Sequence, residues 1–360
     1  MITTLIFILI LSVLIIVHEF GHFIVARKMG VRVEKFSLGF GPQLFRKKKS
    51  DTEYIVSAIP LGGYVKMAGD SLEEYKGNSY EYYAKPAGKR FHIIFFGPLL
   101  NYILGFLCFW LIFFMGYPTL TTKVGGLMEG FGAKEAGLEI GDKITAVDGK
   151  EVIFWDDLQA IIQEKKVASI VKLSVERNKK EFSLDVRITE KEFSDALGQK
   201  RSVGLIGIAP FEEIVKVRHG FFKSFILGAN KTWELTDLTY RGLWRLVTGK
   251  LSVRESVTGP LGIFYITSKA ASRGLVAVLH LVAVLSISLA IFNLLPLPIL
   301  DGGHILLLGI EKVRKKTLSL KTEQVITKVG MSLIICLALL ITYNDIVRLF
   351  GDKISKFFMK

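Results

Sequence analysis

Long apolar stretches dominate the pattern of hydrophobic and polar positions along the chain. A helix needs about 20 apolar residues to cross the roughly 30 Å of hydrocarbon in a bilayer. Three runs have this length, and a fourth reaches it by recruiting Ile326 and residues 346–350; the runs are Ile2 to Ala26, Phe91 to Tyr117, Leu275 to Leu300 and Gly330 to Tyr343. The pattern predicts a polytopic α-helical membrane protein with four transmembrane helices.

A shorter β-type pattern lies between the first two spans. Two β-prone runs, Tyr54 to Val56 and Tyr64 to Met67, flank the segment Pro60-Leu61-Gly62-Gly63. Proline and glycine between such runs indicate a turn, so we expect a β-hairpin over Glu53 to Met67. Because its residues are largely apolar, we expect the hairpin to be membrane-associated, with its backbone groups satisfied by protein or water.

The central part of the chain, from about Thr121 to Ala209, has the mixed composition of a soluble domain. A β-prone run at Ile170 to Val175 and a helical stretch near Trp155 to Glu164 predict one inserted α+β domain. After it, His219 to Leu251 combines aromatic residues with regularly spaced charges, which is typical of an amphipathic helix in the outer membrane interface.

These elements predict four parts of the chain. The first two transmembrane helices, with the loop and hairpin between them, occupy 1–117, and the inserted domain occupies 118–212. The interfacial helix and a connector occupy 213–274, and the last two transmembrane helices occupy 275–360. The first and last parts together are expected to form the catalytic core.

Composition and charge agree with this membrane assignment. Half of the 360 residues are hydrophobic, and mean hydropathy is +0.41. The net charge of +14 is concentrated beside the spans: residues 27–90 carry 13 basic and 7 acidic residues, and residues 301–328 carry 6 and 3. Lysine and arginine in short loops mark the cytoplasmic side, so both termini and the central domain are expected outside. This topology explains the charge without a nucleic-acid partner.

Cysteine usage excludes two other kinds of site. Cys108 and Cys336 both lie inside apolar runs, where cysteine behaves as a small hydrophobic residue. No disulfide framework and no cysteine-based zinc site is therefore expected.

The first span contains the cluster His18-Glu19-Phe20-Gly21-His22. Two histidines four residues apart project from the same face of a helix and can share one metal ion. Glu19 lies beside them, where a carboxylate can take a proton from a water molecule whose pKa zinc lowers to about 7. Ionisable residues are costly inside a membrane, so this cluster indicates function.

A catalytic zinc site normally needs a third protein ligand. Asp301 is the candidate, because it follows the third span in a segment that two prolines, Pro296 and Pro298, interrupt. The first and third spans both end on the cytoplasmic side, so Asp301 can meet His18 and His22 at the same depth. His304 is a rival ligand, for which we favour a supporting or loop-packing role.

Taken together, these residues resemble the site-2 protease family of intramembrane metalloproteases, particularly the bacterial regulator of sigma-E protease branch. The resemblance covers essentially the whole chain and rests on the HExxH cluster, on Phe96-Gly97-Pro98-Leu99-Leu100-Asn101 and on the segment from Asn293 to Gly302. It implies that His18, His22 and Asp301 bind Zn²⁺ and that Glu19 activates water for peptide hydrolysis.

The resemblance also implies how substrate is held. A transmembrane substrate would unwind locally and add as a strand to the hairpin, at Gly62, Gly63 and Tyr64, with Asn293 helping to hold it. Capping the broken helix is the alternative role for Asn293. Expected substrates are single-span membrane proteins already trimmed outside, such as anti-sigma factors, or remnant signal peptides, in the bacterial inner membrane.

The central domain resembles a PDZ domain of the bacterial protease type. The matching residues are Ala133, Ala136-Gly137-Leu138, Gly141-Asp142-Lys143-Ile144 and Val147-Asp148-Gly149. Gly141-Asp142 is expected to turn into a strand, and Asp148-Gly149 to form a hairpin turn. Some relatives carry two such domains, whereas this chain has room for one. Its PDZ ligand is not specified by the sequence.

Two other functions fit parts of the pattern. A membrane scaffold could use the PDZ domain to recruit partners and keep a vestigial metal site, and a zinc transporter could use the same ligands. The intact Glu19 weighs against a scaffold, since scaffolding needs no base beside the ligands. The spans show no second polar relay for transport.

Overall fold

Each apolar run contains a helix in the computed structural model, which describes residues 2–165, 168–194, 200–252, 257–315 and 319–358. Within these ranges four helical segments are long and apolar enough to cross a membrane, namely Ile2–Lys28, Ala87–Met115, Leu275–Asn293 and Gln324–Val347. The four predicted spans are all present. The third ends at Asn293 instead of Leu300, because Pro296 and Pro298 follow and cannot continue the helical hydrogen bonds.

The helices of the described residues, in chain order, are α1 Ile2–Lys28, α2 Ala87–Met115, α3 Gly132–Glu135, α4 Trp155–Glu164, α5 Phe221–Val247, α6 Pro260–Ser272, α7 Leu275–Asn293, α8 Asp301–Arg314 and α9 Leu320–Phe358. The chain forms two compact units, one comprising Met1–Ile112 with Phe222–Lys360 and the other Phe113–Phe221. The second unit brackets the inserted domain that was predicted at 118–212.

In the first unit, α6 packs against α1, α7 and α9. Its N-terminus is held by Asp345 of α9, whose buried carboxylate accepts hydrogen bonds from the N–H groups of Gly259 at 3.1 Å and Gly262 at 2.9 Å. A carboxylate is favourable there because the first N–H groups of a helix lack partners within the helix. This contact fixes α6 against the fourth span.

The amphipathic helix expected within His219 to Leu251 is α5, and it packs along α2. The Tyr102 and Thr236 hydroxyls lie 2.9 Å apart, and the Phe106 and Phe225 rings are 5.1 Å apart. Its buried face carries small residues at intervals of four, namely Ser224, Gly228, Thr232 and Thr236. Small side chains allow close approach, so α5 follows a spanning helix over these turns. Its predicted position in the outer membrane interface stays a prediction.

Two long strands, β1 Val33–Lys49 and β2 Thr52–Met67, fill the loop between the first two spans. The register places Phe36 opposite both Val65 and Tyr54, and Leu38 opposite both Gly63 and Val56. Residues 33–38 therefore lie between residues 52–57 and 63–67. The expected hairpin was wrong in its pairing, because its two β-prone runs pair with residues 33–38 and not with each other. The tight turn lies at Ser50–Asp51, where Ser50 has φ 54°.

The second unit contains the remaining strands, β3 Tyr117–Leu120, β4 Val124–Leu127, β5 Lys143–Val147, β6 Lys150–Glu151, β7 Ile170–Arg177, β8 Lys180–Arg187, β9 Thr189–Ser194, β10 Lys200–Leu205, β11 Ile208–Pro210 and β12 Ile214–Val217. Four of them form an antiparallel sheet in the order β6-β5-β7-β8, and the others pair as β3-β12, β4-β11 and β9-β10. The predicted strand and helix are thus present as β7 and α4.

Two turns in this unit follow the sequence expectation. Asp148 and Gly149 both have positive φ between β5 and β6, which is the backbone of a tight hairpin turn. Asp142 precedes β5 and is buried, and Arg177 donates to both of its carboxylate oxygens at 2.7 Å. Burial alone would raise the pKa of Asp142, but the Arg177 bonds outweigh it and hold this pKa below its usual range.

Candidate metal centre

The histidines of the first span converge with Asp301, which is the first residue of α8. The Nε2 atoms of His18 and His22 are 3.2 Å apart. Asp301 Oδ2 lies 3.1 Å from His18 Nε2, and Asp301 Oδ1 lies 3.6 Å from His22 Nε2. All three side chains are largely buried, with 11%, 12% and 16% of their surface exposed. One ligand atom from each residue thus lies within 4.8 Å of the others.

This arrangement fits a zinc ion. The carbonyl oxygen of Ile93 lies 2.8 Å from His22 Nδ1 and can only accept, so Nδ1 carries the hydrogen. In a neutral ring Nε2 then presents a lone pair toward His18 and Asp301. Two ligands about 2.0–2.1 Å from a tetrahedral zinc lie about 3.3 Å apart, close to the distance between the two nitrogens. The donor set, two imidazoles and a carboxylate, is also one that zinc prefers.

The second span shapes the site by a close helix contact. A Cβ atom at Gly97 would lie 2.3 Å from His22 Nε2, and one at Gly21 would lie 2.2 Å from the carbonyl oxygen of Phe96. Neither position has room for a side chain. The absence of side chains therefore lets α1 and α2 touch where His22 turns toward Asp301.

The segment between α7 and α8 brings Asp301 to the histidines. Ile299 has φ 81°, which is a strained conformation for a β-branched residue. Cβ atoms at Gly302 and Gly303 would lie 2.2 Å from the Leu294 carbonyl oxygen and 2.1 Å from that of Leu297. The two glycines thus allow the first turn of α8 to pack onto this segment. The interruption by prolines, read from the sequence, is what sets the Asp301 side chain at the site.

A cavity of about 240 Å³ opens beside the three converging residues. Glu19, Asp301 and His304 line one part of it, and the ion pair between Arg90 and Glu311 lines another. That pair is 2.9 Å long, and both side chains are about nine-tenths buried. Asp70, also in the wall, has its pKa raised by burial. The sequence analysis missed the Arg90 and Glu311 pair, because 221 residues separate its members.

Glu19 lies between this cavity and the end of β2. The Val65 N–H donates a hydrogen bond to its carboxylate, and a Cβ atom at Gly63 would lie 3.7 Å from Glu19 Cγ. The two predicted substrate residues next to Gly63 contact Phe40. Gly62 lies against the Phe40 ring, and the Tyr64 ring stacks beside it with centroids 6.3 Å apart. The structure therefore brings Gly63 next to Glu19.

Asn293 precedes Asp301 in the chain, and His304 follows it. Asn293 is the last residue of α7, eight positions before Asp301, and His304 is one helical turn after it. The ligand atoms that cluster within 4.8 Å belong to His18, His22 and Asp301. His304 lines the adjacent cavity and is not in that cluster.

Two imidazole nitrogens from the first apolar helix and a carboxylate from α8, beside a glutamate, are the donor set of a metallohydrolase. The model of peptidase family M50 matches residues 6–337, and the chain belongs to this family.

Relatives cover nearly the whole chain. One from Agrobacterium fabrum, which carries the name of a zinc metalloprotease, is 34% identical over 96% of each chain. The regulator of sigma-E protease RseP of Escherichia coli is 30% identical, over 95% of this chain and 98% of that protein. The zinc metalloprotease RasP of Oceanobacillus iheyensis is 28% identical, over 97% of this chain and all of that protein. The protein is a zinc metalloprotease of the membrane, which disfavours the scaffold and the transporter.

A solved structure also resembles part of the chain. The PDZ domain of the SdrC-like protein Lin2157 from Listeria innocua is 26% identical and covers 26% of this chain and 96% of that domain, with a TM-score of 0.21. The PDZ interpretation of the second unit rests on its own strands, helix and turns.

We predict that Gly97→Ala lowers the zinc content of the purified protein severalfold, because the added Cβ displaces the His22 imidazole. Metal analysis at fixed free zinc checks this. Gly88→Ala is the matched control on the same helix, since no atom lies within 4 Å of a Cβ there. Equal zinc content in the two variants would contradict the contact.

We also predict that Asp301→Ala reduces zinc affinity more than His304→Ala does. Asp301 places two oxygens against the histidines, whereas His304 lies outside the ligand cluster. The loss expected for the second variant is that of a supporting residue, about 10- to 100-fold at most. Chelator competition measures both affinities, and the reverse order would assign the third ligand to His304.

Proposed function

We propose that this zinc metalloprotease cleaves peptide bonds within transmembrane segments, with His18, His22 and Asp301 holding the zinc and Glu19 as the catalytic base. The observation that carries the proposal is the convergence of these side chains from α1 and α8 beside the side of β2 that no other strand pairs with. A bound zinc would acidify water and polarise the scissile carbonyl.

Glu19 would perform the proton transfers. Its carboxylate accepts the proton of the attacking water and then gives it to the departing amide nitrogen, as a general base and acid. The hydrogen bond from the Val65 N–H holds one carboxylate oxygen, which orients the group without a second side chain. The neighbouring cavity, with its ionisable wall, can hold the water that is consumed.

Substrate would bind as a strand along residues 63–67 of β2. This segment pairs with residues 33–38 on one side only, and its other side faces Glu19. N–H groups along a strand alternate in direction, so Gly63 directs its N–H to the same side as Val65. Strand addition there would satisfy the backbone of an unwound substrate, which a membrane interior otherwise leaves without partners. Gly62, Gly63, Tyr64 and Asn293 are the proposed substrate residues.

The substrates we propose are single-span membrane proteins already trimmed outside, with anti-sigma factors and remnant signal peptides as the main classes. The names of two relatives, the regulator of sigma-E protease RseP of Escherichia coli and the regulator of sigma-W protease RasP of Bacillus subtilis, support the first class. We propose the bacterial inner membrane as the location, with both termini and the PDZ domain outside, from the distribution of lysine and arginine.

Replacing Glu19 by glutamine is expected to abolish cleavage while zinc remains bound. A glutamine cannot accept the proton, so we expect a rate loss of at least about 10²- to 10⁴-fold. The assay uses purified protein, a trimmed single-span substrate and parallel zinc analysis. Glu151→Gln, an exposed change in the second unit, should cleave at the normal rate. Cleavage by the Glu19 variant at that same rate would refute the catalytic role.

Substrates whose helix unwinds easily should be cleaved faster. Glycine is about 1 kcal/mol less favourable than alanine in a helix, so two glycines at the cleaved turn should raise the rate up to about 30-fold. The control substrate carries the same glycines two turns away. Equal rates for both substrates would show that unwinding at the scissile turn is not required.

A further inference from the structure

Asn101 on α2 is a buried amide without a partner. Its side chain is 0% exposed, and among the described residues neither its Oδ1 nor its Nδ2 has a hydrogen-bond partner. Buried amides are normally hydrogen-bonded, because an unpaired one loses its interaction with water and gains nothing in return. We therefore expect the Asn101 amide to bind a group in the functional protein.

The same part of the structure contains a second unpaired group, His18 Nδ1. The corresponding atom of His22 is held by the Ile93 carbonyl oxygen at 2.8 Å. A histidine that binds a metal almost always donates its other ring N–H to an acceptor, which fixes the ring orientation. His18 thus lacks the support that its partner ligand has.

Helix packing places Asn101 on the face of α2 that is turned toward α1. Gly97 contacts His22, and Leu104 packs in the same cluster as Leu14 of α1. Residues 97, 101 and 104 lie on one face of α2, as do residues 22, 18 and 14 on α1. The two helices run in opposite directions between these contacts, so Asn101 comes opposite His18.

The backbone of Asn101 is already fixed by another helix. Ser286 of α7 donates its hydroxyl hydrogen to the Asn101 carbonyl oxygen at 2.7 Å. A Cβ atom at Gly105, one turn further, would lie 2.4 Å from Ile287 Cγ1 of α7. The backbone of Asn101 is therefore held by α7, and its side-chain amide is left for another group.

We propose that Asn101 is the positioning residue for His18. Its amide oxygen accepts a hydrogen bond from the His18 Nδ1–H, directly or through one water molecule, so that Nε2 faces the zinc. This inference rests on the proposed function, in which His18 is a zinc ligand. It gives a role to Asn101, a residue of the second-span motif to which the sequence analysis assigned none.

The test compares zinc affinity and apo-protein stability in the full chain. Asn101→Leu keeps the size but removes the acceptor, and we expect zinc affinity by chelator competition to fall about 10- to 100-fold. The melting temperature of the metal-free variant should stay equal or rise, because an unpaired buried amide has been removed. The stabilisation gained on adding zinc should shrink accordingly. Asn101→Asp, which keeps an acceptor, should retain affinity within severalfold.

Two further variants separate the possible failures. Ser286→Ala removes the contact to the Asn101 backbone but keeps the side-chain amide, so its loss of zinc affinity should be smaller than that of Asn101→Leu, whereas His18→Ala should abolish tight binding. If His18→Ala binds zinc normally, the ligand assignment itself is wrong. If His18→Ala loses zinc while Asn101→Leu binds it normally, only the role of Asn101 is refuted. A raised KM with unchanged zinc affinity in Asn101→Leu would refute it too, because Asn101 would then act on substrate.

Discussion

Three electron-pair donors buried together inside a membrane protein require a cation, and the first compact unit of this chain is arranged around them. The side chains of His18, His22 and Asp301 are largely buried, and their donor atoms face one another. Lone pairs at this spacing repel unless a proton or a metal lies between them. Zinc binding is thus expected to contribute to the folding of this region as well as to its chemistry.

Close backbone contacts make this convergence possible. The first two spans touch where glycine replaces a side chain, and the interrupted third span returns Asp301 through a strained residue and two glycines. The fourth span closes over the same segment, since a Cβ atom at Gly330 would lie 2.4 Å from the Pro298 Cβ. Irregular backbone inside a membrane is tolerated when protein covers it, and here α8 and α9 cover this segment.

Much of this arrangement could be predicted from the sequence. Span number follows from run length, and the histidine pair follows from helical periodicity, both of which are local properties. The proline interruption before Asp301 was also readable. Pairing across the β1 and β2 region was not, because a β-prone run does not specify its partner, and residues 33–38 were an unrecognised strand.

Contacts between distant helices were equally hidden in the sequence. Arg90 and Glu311 pair across 221 positions, and neither lies in a recognisable motif. Likewise, the buried face of α5 carries small residues, Ser224, Gly228, Thr232 and Thr236, which the sequence analysis did not single out. In each case packing decided the outcome, and packing depends on residues that are far apart in the chain.

The part of β2 beside Glu19 offers only a short stretch of backbone to another strand. Asp70 already accepts the N–H of Met67 at 3.0 Å, so the edge beside Glu19 is closed at that residue. The Val65 N–H is taken by Glu19, so the outward-facing groups left for another chain are those of Gly63 and the carbonyl oxygen of Val65. A short edge also offers little surface for unwanted pairing with other proteins. In the proposed mechanism, a substrate helix would therefore unwind over only about one turn, 3.6 residues, to bind this segment.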